Sequence, residues 1–468
     1  MKKRILLSLS VLLTAALTVL AQPKYVFYFI GDGMGTSQIL LTEMYLAAQK
    51  GEIGIEPLLV SQFPVATIST HYSDNSDVTD SAASATALSS GVKTTNYYVG
   101  IDPDGNPVTT MAEMAARCGK KVAIMTTVPL NHATPAGFSA HQPGRGLHYQ
   151  ISQDQIANGF DFYGGSEILD EDRLHDGTPM PPIRPQYINA GYTLFGNMDD
   201  FKAGYKSAGK VLVLPERGKS ISYRLDMNHH PEDHIFLKDM VAGAIDFMMK
   251  DGGKGGFFMM AEGGKIDTAC HSHDAAASVQ ETIDFDEAIA VAYEFYKKYP
   301  KQTLIVVTAD HETGGMIVQP KKPEQLAQLG LQKHSLGVIS ERLRRILREN
   351  YNNKPMPWEE VEEYLADNFG LFREIKLNWE DEKTLKDCYY ATLAKKQSGS
   401  AKDLYTDNVK IIAEAAKIFN RRCGIHWVSS HTSSFTPVFA VGAGADEFKH
   451  QTDNAEVAKT IIRIAKYK

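Results

Sequence analysis

Short apolar runs that end abruptly in polar residues recur along the chain. The clearest of these runs are Tyr25–Ile30, 122–125, 256–260 and 303–307. Each has the length of a buried β-strand, and amphipathic helical patterns separate the runs. Strands that alternate with helices predict an α/β fold: a three-layer sandwich with a large, mainly parallel central sheet and helices on both faces.

Polar side chains suited to chemistry follow these runs. Asp32 follows the first run, Glu262 the third, and Asp310 with His311 the fourth. The carboxyl ends of parallel strands meet at one edge of a sheet, where open α/β folds bind their ligands. We therefore expect these residues, which are far apart in the sequence, to share one site.

Residues 322–424 have a different pattern. Charged, amphipathic segments at 340–350, Trp358–Phe369 and 401–421 predict helices, with few strand signals between them. The run at 435–441 then has the pattern of a returning strand. We interpret 322–424 as a mostly helical insert that interrupts a single catalytic domain, residues 22–468. Its helices are either surface helices packed on the core or a cap or dimer contact.

The N-terminus has the pattern of a signal peptide. Lys2, Lys3 and Arg4 precede an apolar stretch, and the small residue Ala21 provides a cleavage site, which predicts removal of residues 1–21. The apolar stretch is short for a membrane span of roughly 20 residues, so we expect no stable membrane insertion. The expected location is outside the cytoplasm: the periplasm in a Gram-negative host, and otherwise the medium.

Charge and cysteine content narrow the function classes. With 49 Lys and Arg against 56 Asp and Glu, the net charge is -7, and no basic run follows the first four residues. Nucleic acid is therefore a poor candidate partner. Export would permit disulfides, but the spacing does not choose between pairing and free thiols for Cys118, Cys270, Cys388 and Cys423.

Ser81 lies in a segment of small residues, 79–87, that favours a helix. In the first turn of that helix, backbone N–H groups and the helix dipole would favour a bound phosphate. The alternative is that Thr79, Asp80 or Ser81 merely caps the helix.

Several residues have the character of metal ligands. Asp32 lies between two glycines, which allow close approach to an ion, and the spacing is wrong for a dinucleotide-binding turn. Asp267 and His271 are four residues apart and would share one face of a helical turn. His431 precedes the returning strand. Glu262 and Thr134, which also follow apolar runs, are oxygen donors suited to a hard cation.

In combination, the segments GDGMG, TDSAASATA, HATPA, EGGKID, TADHETGG and SSHT resemble those of the alkaline phosphatase family. They follow the family's order over about residues 24–320 and again from about 425. Residues 322–424 match the compact bacterial members poorly and are longer than the insert expected in vertebrate members. The resemblance implies a homodimer that hydrolyses phosphate monoesters through a phosphoserine intermediate, using two Zn²⁺ and one Mg²⁺.

The resemblance also implies a role for each matching residue. Ser81 would be the nucleophile, and Arg145 would clamp two phosphate oxygens, although an arginine in a Gly-Pro loop, taken by itself, is more often a surface residue. The implied ligand sets are Asp267, His271 and His431 for the first zinc; Asp32, Asp310 and His311 for the second; and Thr134, Glu262 and a bridging Asp32 for magnesium.

Three residues are expected to lie just outside the metal ligands, namely His132, Thr268 and Lys265. Two of them, His132 and Thr268, depart from the pattern of known relatives. His132 replaces an aspartate of the best-known bacterial enzymes, and its imidazole would let zinc compete for the magnesium site. Thr268 stands where relatives carry Lys, His or Trp, and we expect Lys265 to substitute partly for the missing cation. The alternatives are a phosphodiesterase or another hydrolase, such as a sulfatase, on the same metal scaffold, and a non-catalytic binding protein. The presence of Thr134 and Glu262 and the intact ligand set argue against them.

Overall fold

The computed structural model describes residues 22–227, 235–352, 356–394, 410–450 and 452–468. The predicted signal peptide, 1–21, and the first nine residues of the helix predicted at 401–421 lie outside the described residues. In the described part, no helix combines the length and the apolar character needed to cross a membrane.

The strands are β1 (Tyr25–Ile30), β2 (Val65–Thr70), β3 (Lys121–Thr126), β4 (Phe162–Gly164), β5 (Tyr192–Phe195), β6 (Lys210–Val213), β7 (Phe257–Glu262), β8 (Thr303–Thr308), β9 (Glu312–Thr313), β10 (Ile317–Val318), β11 (Ile425–His426), β12 (His431–Thr432), β13 (Thr436–Gly442) and β14 (Thr452–Asp453).

The helices are α1 (Thr36–Gln49), α2 (Ser81–Ser90), α3 (Met111–Arg117), α4 (Ala133–Ser139), α5 (His148–Asn158), α6 (Ile183–Asn189), α7 (Met198–Gly204), α8 (Arg224–Met227), α9 (Leu237–Met249), α10 (Lys265–His271), α11 (Ala275–Lys298), α12 (Pro323–Ala327), α13 (Leu336–Tyr351), α14 (Trp358–Phe369), α15 (Trp379–Ala394), α16 (Lys410–Arg422) and α17 (Asn454–Ala465).

Ten strands form one sheet in the order β14-β2-β13-β8-β1-β7-β3-β4-β6-β5. The run from β8 to β5 is parallel throughout, whereas β13 is antiparallel to both of its neighbours. The predicted α/β sandwich with a mainly parallel sheet is therefore confirmed.

Apolar side chains of β1 alternate between the two faces of the sheet, as the two-residue period of a strand requires. Phe27 and Phe29 join one hydrophobic core, and Val26, Tyr28 and Ile30 join the other. Helices α9, α11, α13, α14 and α16 contribute to the first core, and α2, α3 and α17 contribute to the second. Both faces of the sheet are thus covered by helices.

The described helices of the segment 322–424 pack against the rest of the molecule. Leu343, Leu365 and Phe419 are buried in the same core as Phe27. Helix α14 has the predicted bounds, but the sequence pattern missed α15, which begins with a charged stretch and carries no strong apolar face. The boundaries of the predicted insert stay a prediction.

The register of the central strands brings their carboxyl ends together. Ile30, the last residue of β1, pairs with Glu262 of β7 and with Thr308 of β8, and Glu262 also pairs with Thr126 of β3. Residues that follow β1 and β8 therefore emerge beside the end of β7, at one edge of the sheet.

Two of the four cysteines are buried thiols. Cys270 accepts a hydrogen bond from Gln38 at 3.6 Å, and burial raises the pKa of both Cys270 and Cys423. Because neither thiol is part of a disulfide, none of the full pairings that four cysteines permit is present.

Candidate active site

Ser81 is the first residue of α2, as the sequence predicted. The preceding residue, Asp80, is the N-cap, and its Oδ1 accepts a 3.0 Å hydrogen bond from the N–H of Ala83. The Ser81 side chain is buried, and its Oγ lies 3.2 Å from His311 Nε2. The hydroxyl therefore faces both the N-terminal end of a helix and an imidazole.

One group of donors surrounds that imidazole. His311 Nε2 lies 3.6 Å from Asp32 Oδ1 and 3.3 Å from Asp310 Oδ2, and all three residues are fully buried. Ligand atoms of these residues lie within 4.8 Å of one another, which is close enough to hold one metal ion.

Glycine is required beside Asp32. Gly33 has φ +72°, and its N–H donates a 3.1 Å hydrogen bond to Asp310 Oδ1. A Cβ at this position would lie 2.9 Å from the Cα of Asp267. Any larger residue would therefore be strained and would push apart two of the donor groups.

A second group of donors comes from α10 and β12. His271 Nε2 lies 3.3 Å from Asp267 Oδ1 and 3.0 Å from His431 Nε2, and His431 Nε2 lies 3.8 Å from Asp267 Oδ1. The His431 ring stacks on His311 with centroids 3.7 Å apart. The second group thus adjoins the first.

A third group lies where β1, β3 and β7 end. Asp32, His132 and Glu262 have ligand atoms within 4.8 Å of one another, and Thr134 Oγ1 lies 3.4 Å from Asp32 Oδ2. Thr134 lies inside α4, the helix that follows β3. His132, which the sequence assigned to an outer shell, lies close enough to these carboxylates to be a direct ligand.

The buried donors fit metal ions. Asp32 Oδ1, Asp310 Oδ2 and both carboxylate oxygens of Glu262 have no hydrogen-bond partner in the described part of the chain. Burial and the neighbouring carboxylates raise the pKa of Glu262 to about 7, that of Asp310 to about 6, and that of Asp32 well above its ordinary range. Crowded carboxylates of this kind need a cation between them to stay ionised.

Two histidines of the site are held in the neutral form that binds metals. Burial lowers the pKa of both His132 and His311 well below the ordinary value for imidazole. At neutral pH each of these imidazoles therefore has one ring nitrogen without a proton, and that nitrogen can bind a metal ion.

Arg145 reaches the same place from the loop after α4. Its Nη1 donates to Asp80 Oδ2 at 3.0 Å, and its Nη2 lies 3.2 Å from His132 Nε2. The guanidinium thus lies beside the residue that precedes Ser81. Ser81, Arg145, Asp267, His271 and His431 all line one open cleft of about 620 Å³.

Thr268 and Lys265 make other contacts. The Tyr223 hydroxyl donates to Thr268 Oγ1 at 2.9 Å, and Lys265 Nζ lies 4.7 Å from the centre of the Tyr223 ring. Neither residue lines the cleft that contains Ser81. The structure therefore gives no support to Lys265 as a replacement for a cation at that cleft.

Sequence reasoning missed Thr313 and Glu312, although both lie in the TADHETGG segment. Thr313 Oγ1 lies 2.6 Å from Asp267 Oδ1 and 3.2 Å from His311 Nδ1. Glu312 accepts hydrogen bonds from the hydroxyl of Thr432 and from Gln38. Since β9 pairs with β12, these contacts fix the strand that carries His431.

Comparison with known proteins gives a consistent result. The family model described as alkaline phosphatase matches residues 23–175 and 183–467. Alkaline phosphatase 3 of Bacillus subtilis is 31% identical over 452 residues, covering 95% of this chain and 89% of that protein. Alkaline phosphatase 4 of the same organism is 31% identical over 458 residues, with the same coverage.

Solved structures of alkaline phosphatases are also similar to this chain. The alkaline phosphatase of the Antarctic bacterium TAB5 is 25% identical with a TM-score of 0.66, covering 96% of this chain and 99% of that one. Variants of that enzyme with one histidine replaced by Asp or by Glu have been solved with Mg bound in their M3 site. A cold-active Shewanella alkaline phosphatase shares the fold, with a TM-score of 0.76 at 22% identity, covering 94% of this chain and 99% of that one.

The chain belongs to the alkaline phosphatase family. It is accordingly a metal-binding hydrolase that acts on phosphate monoesters.

Proposed function

We propose that this enzyme hydrolyses phosphate monoesters through a phosphoserine intermediate on Ser81, at a site for two zinc ions and one magnesium ion. The observation that carries this proposal is the position of Ser81 Oγ, which lies 3.2 Å from His311 Nε2 at the start of α2. Three groups of metal donors converge around this hydroxyl.

The donor chemistry supports the proposed ions. The set of Asp267, His271 and His431 and the set of Asp32, Asp310 and His311 both combine imidazole with carboxylate, as zinc prefers. The third set combines the oxygens of Thr134, Glu262 and a bridging Asp32, which suits magnesium.

His132 makes the third site the least selective. Its imidazole lies close to the carboxylates of Asp32 and Glu262, and nitrogen donors favour zinc over magnesium. Zinc would therefore compete there. Magnesium in TAB5 variants that carry Asp or Glu in place of a histidine agrees with this reasoning.

Dications at these sites supply Lewis acidity that stabilises the entering and leaving oxygens and makes a serine hydroxyl a competent nucleophile. Ser81 Oγ loses its proton to solvent and forms a bond to phosphorus, while the ester oxygen leaves with its electron pair and takes up a proton to give the alcohol. Water then attacks phosphorus from the vacated side and loses a proton. The bond to Ser81 Oγ breaks, Oγ regains a proton, and inorganic phosphate is released.

Arg145 and α2 hold the phosphoryl group during both steps. The guanidinium offers paired N–H donors to phosphate oxygens, and Asp80 fixes its direction through the 3.0 Å hydrogen bond to Nη1. Asp80 caps the N–H of Ala83, whereas the N–H groups of Ser81 and Ala82 have no partner earlier in the helix and lie at the end of α2 that favours a bound anion.

Export and dimerisation also belong to this proposal. The basic and apolar pattern of residues 1–21 supports export, to the periplasm in a Gram-negative host and otherwise to the medium. The homodimer rests on the family resemblance alone.

Hydrolysis of p-nitrophenyl phosphate from neutral to alkaline pH tests the proposal. Wild type should lose activity on chelation and regain it with zinc plus magnesium. Ser81→Ala should lower kcat by roughly 10³-fold or more, because the nucleophile is lost. Ser90→Ala, at the far end of the same helix, serves as the matched control and should behave as wild type.

A bis-p-nitrophenyl phosphate assay separates the proposal from its main alternative. Preferential cleavage of this diester would move the enzyme to the phosphodiesterases on the same scaffold. Substantial turnover by Ser81→Ala would exclude the phosphoserine route.

A further inference from the structure

Tyr97 is an exposed aromatic residue held in an unfavourable backbone conformation. Its φ is +73°, in the left-handed region that residues with a Cβ seldom adopt, and its side chain is 64% exposed. Strain of this kind persists only where the surroundings fix it, and it concentrates at functional sites.

Two residues of the proposed phosphate site fix the Tyr97 backbone. Its N–H donates to Asp80 Oδ1 at 3.0 Å, and its carbonyl oxygen accepts from the N–H of Arg145 at 2.8 Å. The neighbouring Asn96 accepts from the N–H of Asp80 at 3.1 Å. The backbone position from which the ring projects is thereby fixed relative to Ser81 and Arg145.

The ring forms part of an apolar wall of the catalytic cleft. Val78, Tyr97 and Leu169 line the same cleft as Ser81 and Arg145. Val78 is 37% exposed and Tyr97 is 64% exposed, so both side chains are accessible to a ligand. Exposed apolar side chains that converge on a cleft are typical of a binding surface.

The cleft offers little to a second charged group. Among the described residues that line it, Arg145 is the sole lysine or arginine, and it is committed to Asp80 and to the reacting phosphate. A leaving group that carries another phosphate would find no second lysine or arginine among these residues, and one rich in hydroxyls would gain little from the apolar side chains of Val78 and Leu169.

We propose that Tyr97, with Val78 and Leu169, forms a leaving-group subsite that selects phosphate monoesters of aromatic alcohols over those of polyols. This inference rests on the proposed function, because it requires the phosphoryl group to bind at Ser81. The aromatic ring of the substrate packs against Tyr97 while phosphate occupies the site beside Arg145.

Non-hydrolysable phosphonates measure binding at the subsite, because they occupy the cleft without being cleaved. Tyr97→Asn removes the ring, and asparagine tolerates the left-handed conformation, so the hydrogen bonds to Asp80 and Arg145 are kept. We expect competitive inhibition by phenylphosphonate to weaken roughly three- to tenfold, as for the loss of one aromatic contact. Inhibition by methylphosphonate should stay within twofold of wild type.

Two further variants serve as controls. Tyr97→Phe keeps the ring and should retain phenylphosphonate inhibition. Tyr390→Asn removes an exposed tyrosine of α15 that does not line the cleft, and it should change neither inhibitor. The kcat/KM values for phenyl phosphate and glycerol 2-phosphate should follow the two phosphonates.

Equal weakening of both phosphonates by Tyr97→Asn would overturn the subsite and leave Tyr97 only as a support for Asp80 and Arg145. Unchanged phenylphosphonate inhibition would also overturn it. Failure of the proposed function is seen separately, as retained turnover in Ser81→Ala, because the phosphonates report binding in the cleft and do not require the serine to react.

Discussion

Thr313 Oγ1 lies 2.6 Å from Asp267 Oδ1, and the same hydroxyl lies 3.2 Å from His311 Nδ1. A hydroxyl donates one hydrogen bond and can accept others, so Thr313 donates to the carboxylate and accepts from the imidazole N–H. This assignment leaves His311 Nε2 unprotonated on the side of Ser81. One side chain thus orients a proposed ligand of each zinc site.

Thr313→Val should weaken zinc binding. Valine keeps the shape and removes the hydroxyl, so both ligands lose a hydrogen bond that fixes their orientation, and loss of such partners typically lowers metal affinity about 10- to 100-fold. The rate of zinc transfer to a chromogenic chelator measures the effect directly. Thr313→Ser retains the hydroxyl and should resemble wild type. Equal zinc retention by the valine variant would show that Thr313 has no such role.

His132→Asp should favour magnesium at the third site. A carboxylate is a harder ligand than imidazole, so the magnesium concentration for half-maximal binding should fall on the order of tenfold. Calorimetric titration of zinc-loaded, magnesium-free enzyme would measure this change. His132→Asn, which adds no charge, should show no comparable gain. An unaltered affinity in the aspartate variant would place His132 outside the magnesium site.

In the metal-free enzyme, the buried carboxylates Glu262 and Asp310 should contribute less to stability as pH rises. Glu262 and Asp310 have pKa values raised by burial to about 7 and about 6, so between their ordinary values and these raised values the folded state holds protons that the unfolded state has released. These two groups then make unfolding easier with rising pH over roughly pH 4 to 7. The lowered pKa values of the buried His132 and His311 act in the opposite direction over part of this range. The carboxylate contribution is therefore measured as the change, from about pH 5 to about pH 8, in the difference in melting temperature between wild type and a variant of Glu262.

Glu262→Gln tests the origin of this pH dependence. The neutral amide removes one buried charge, so the metal-free variant should melt higher than wild type at alkaline pH and similarly at acidic pH. Glu52→Gln, which changes an exposed carboxylate, is the matched control. Adding zinc and magnesium to wild type should remove most of the alkaline destabilisation. Parallel pH curves for wild type and Glu262→Gln would contradict this explanation.

The parts that were predictable from sequence depend on local periodicity. The uniformly apolar run before Gly31 predicted β1 with its observed bounds, and the four-residue spacing of Asp267 and His271 predicted their shared helical face on α10. The small residues around Ser81 placed it at the start of α2. These features follow from backbone geometry within a few residues.

The parts that were missed depend on pairing between distant segments. The contacts of Thr313 require β9 to pair with β12, and no local pattern reports that pairing. The contact of Thr268 with Tyr223 depends in the same way on how the segment before α8 packs against α10. The strain at Tyr97 follows from its hydrogen bonds to the segments around Asp80 and Arg145, which sequence spacing does not reveal.

The most direct test of the central claim is to trap the phosphorylated enzyme. Holoenzyme incubated with excess inorganic phosphate or substrate would be quenched in acid, digested, and mapped by mass spectrometry. We predict one phosphoryl group on Ser81, absent from chelated enzyme and from Ser81→Ala. Metal-dependent turnover with the phosphoryl group on another residue, or with full activity in Ser81→Ala, would contradict the account.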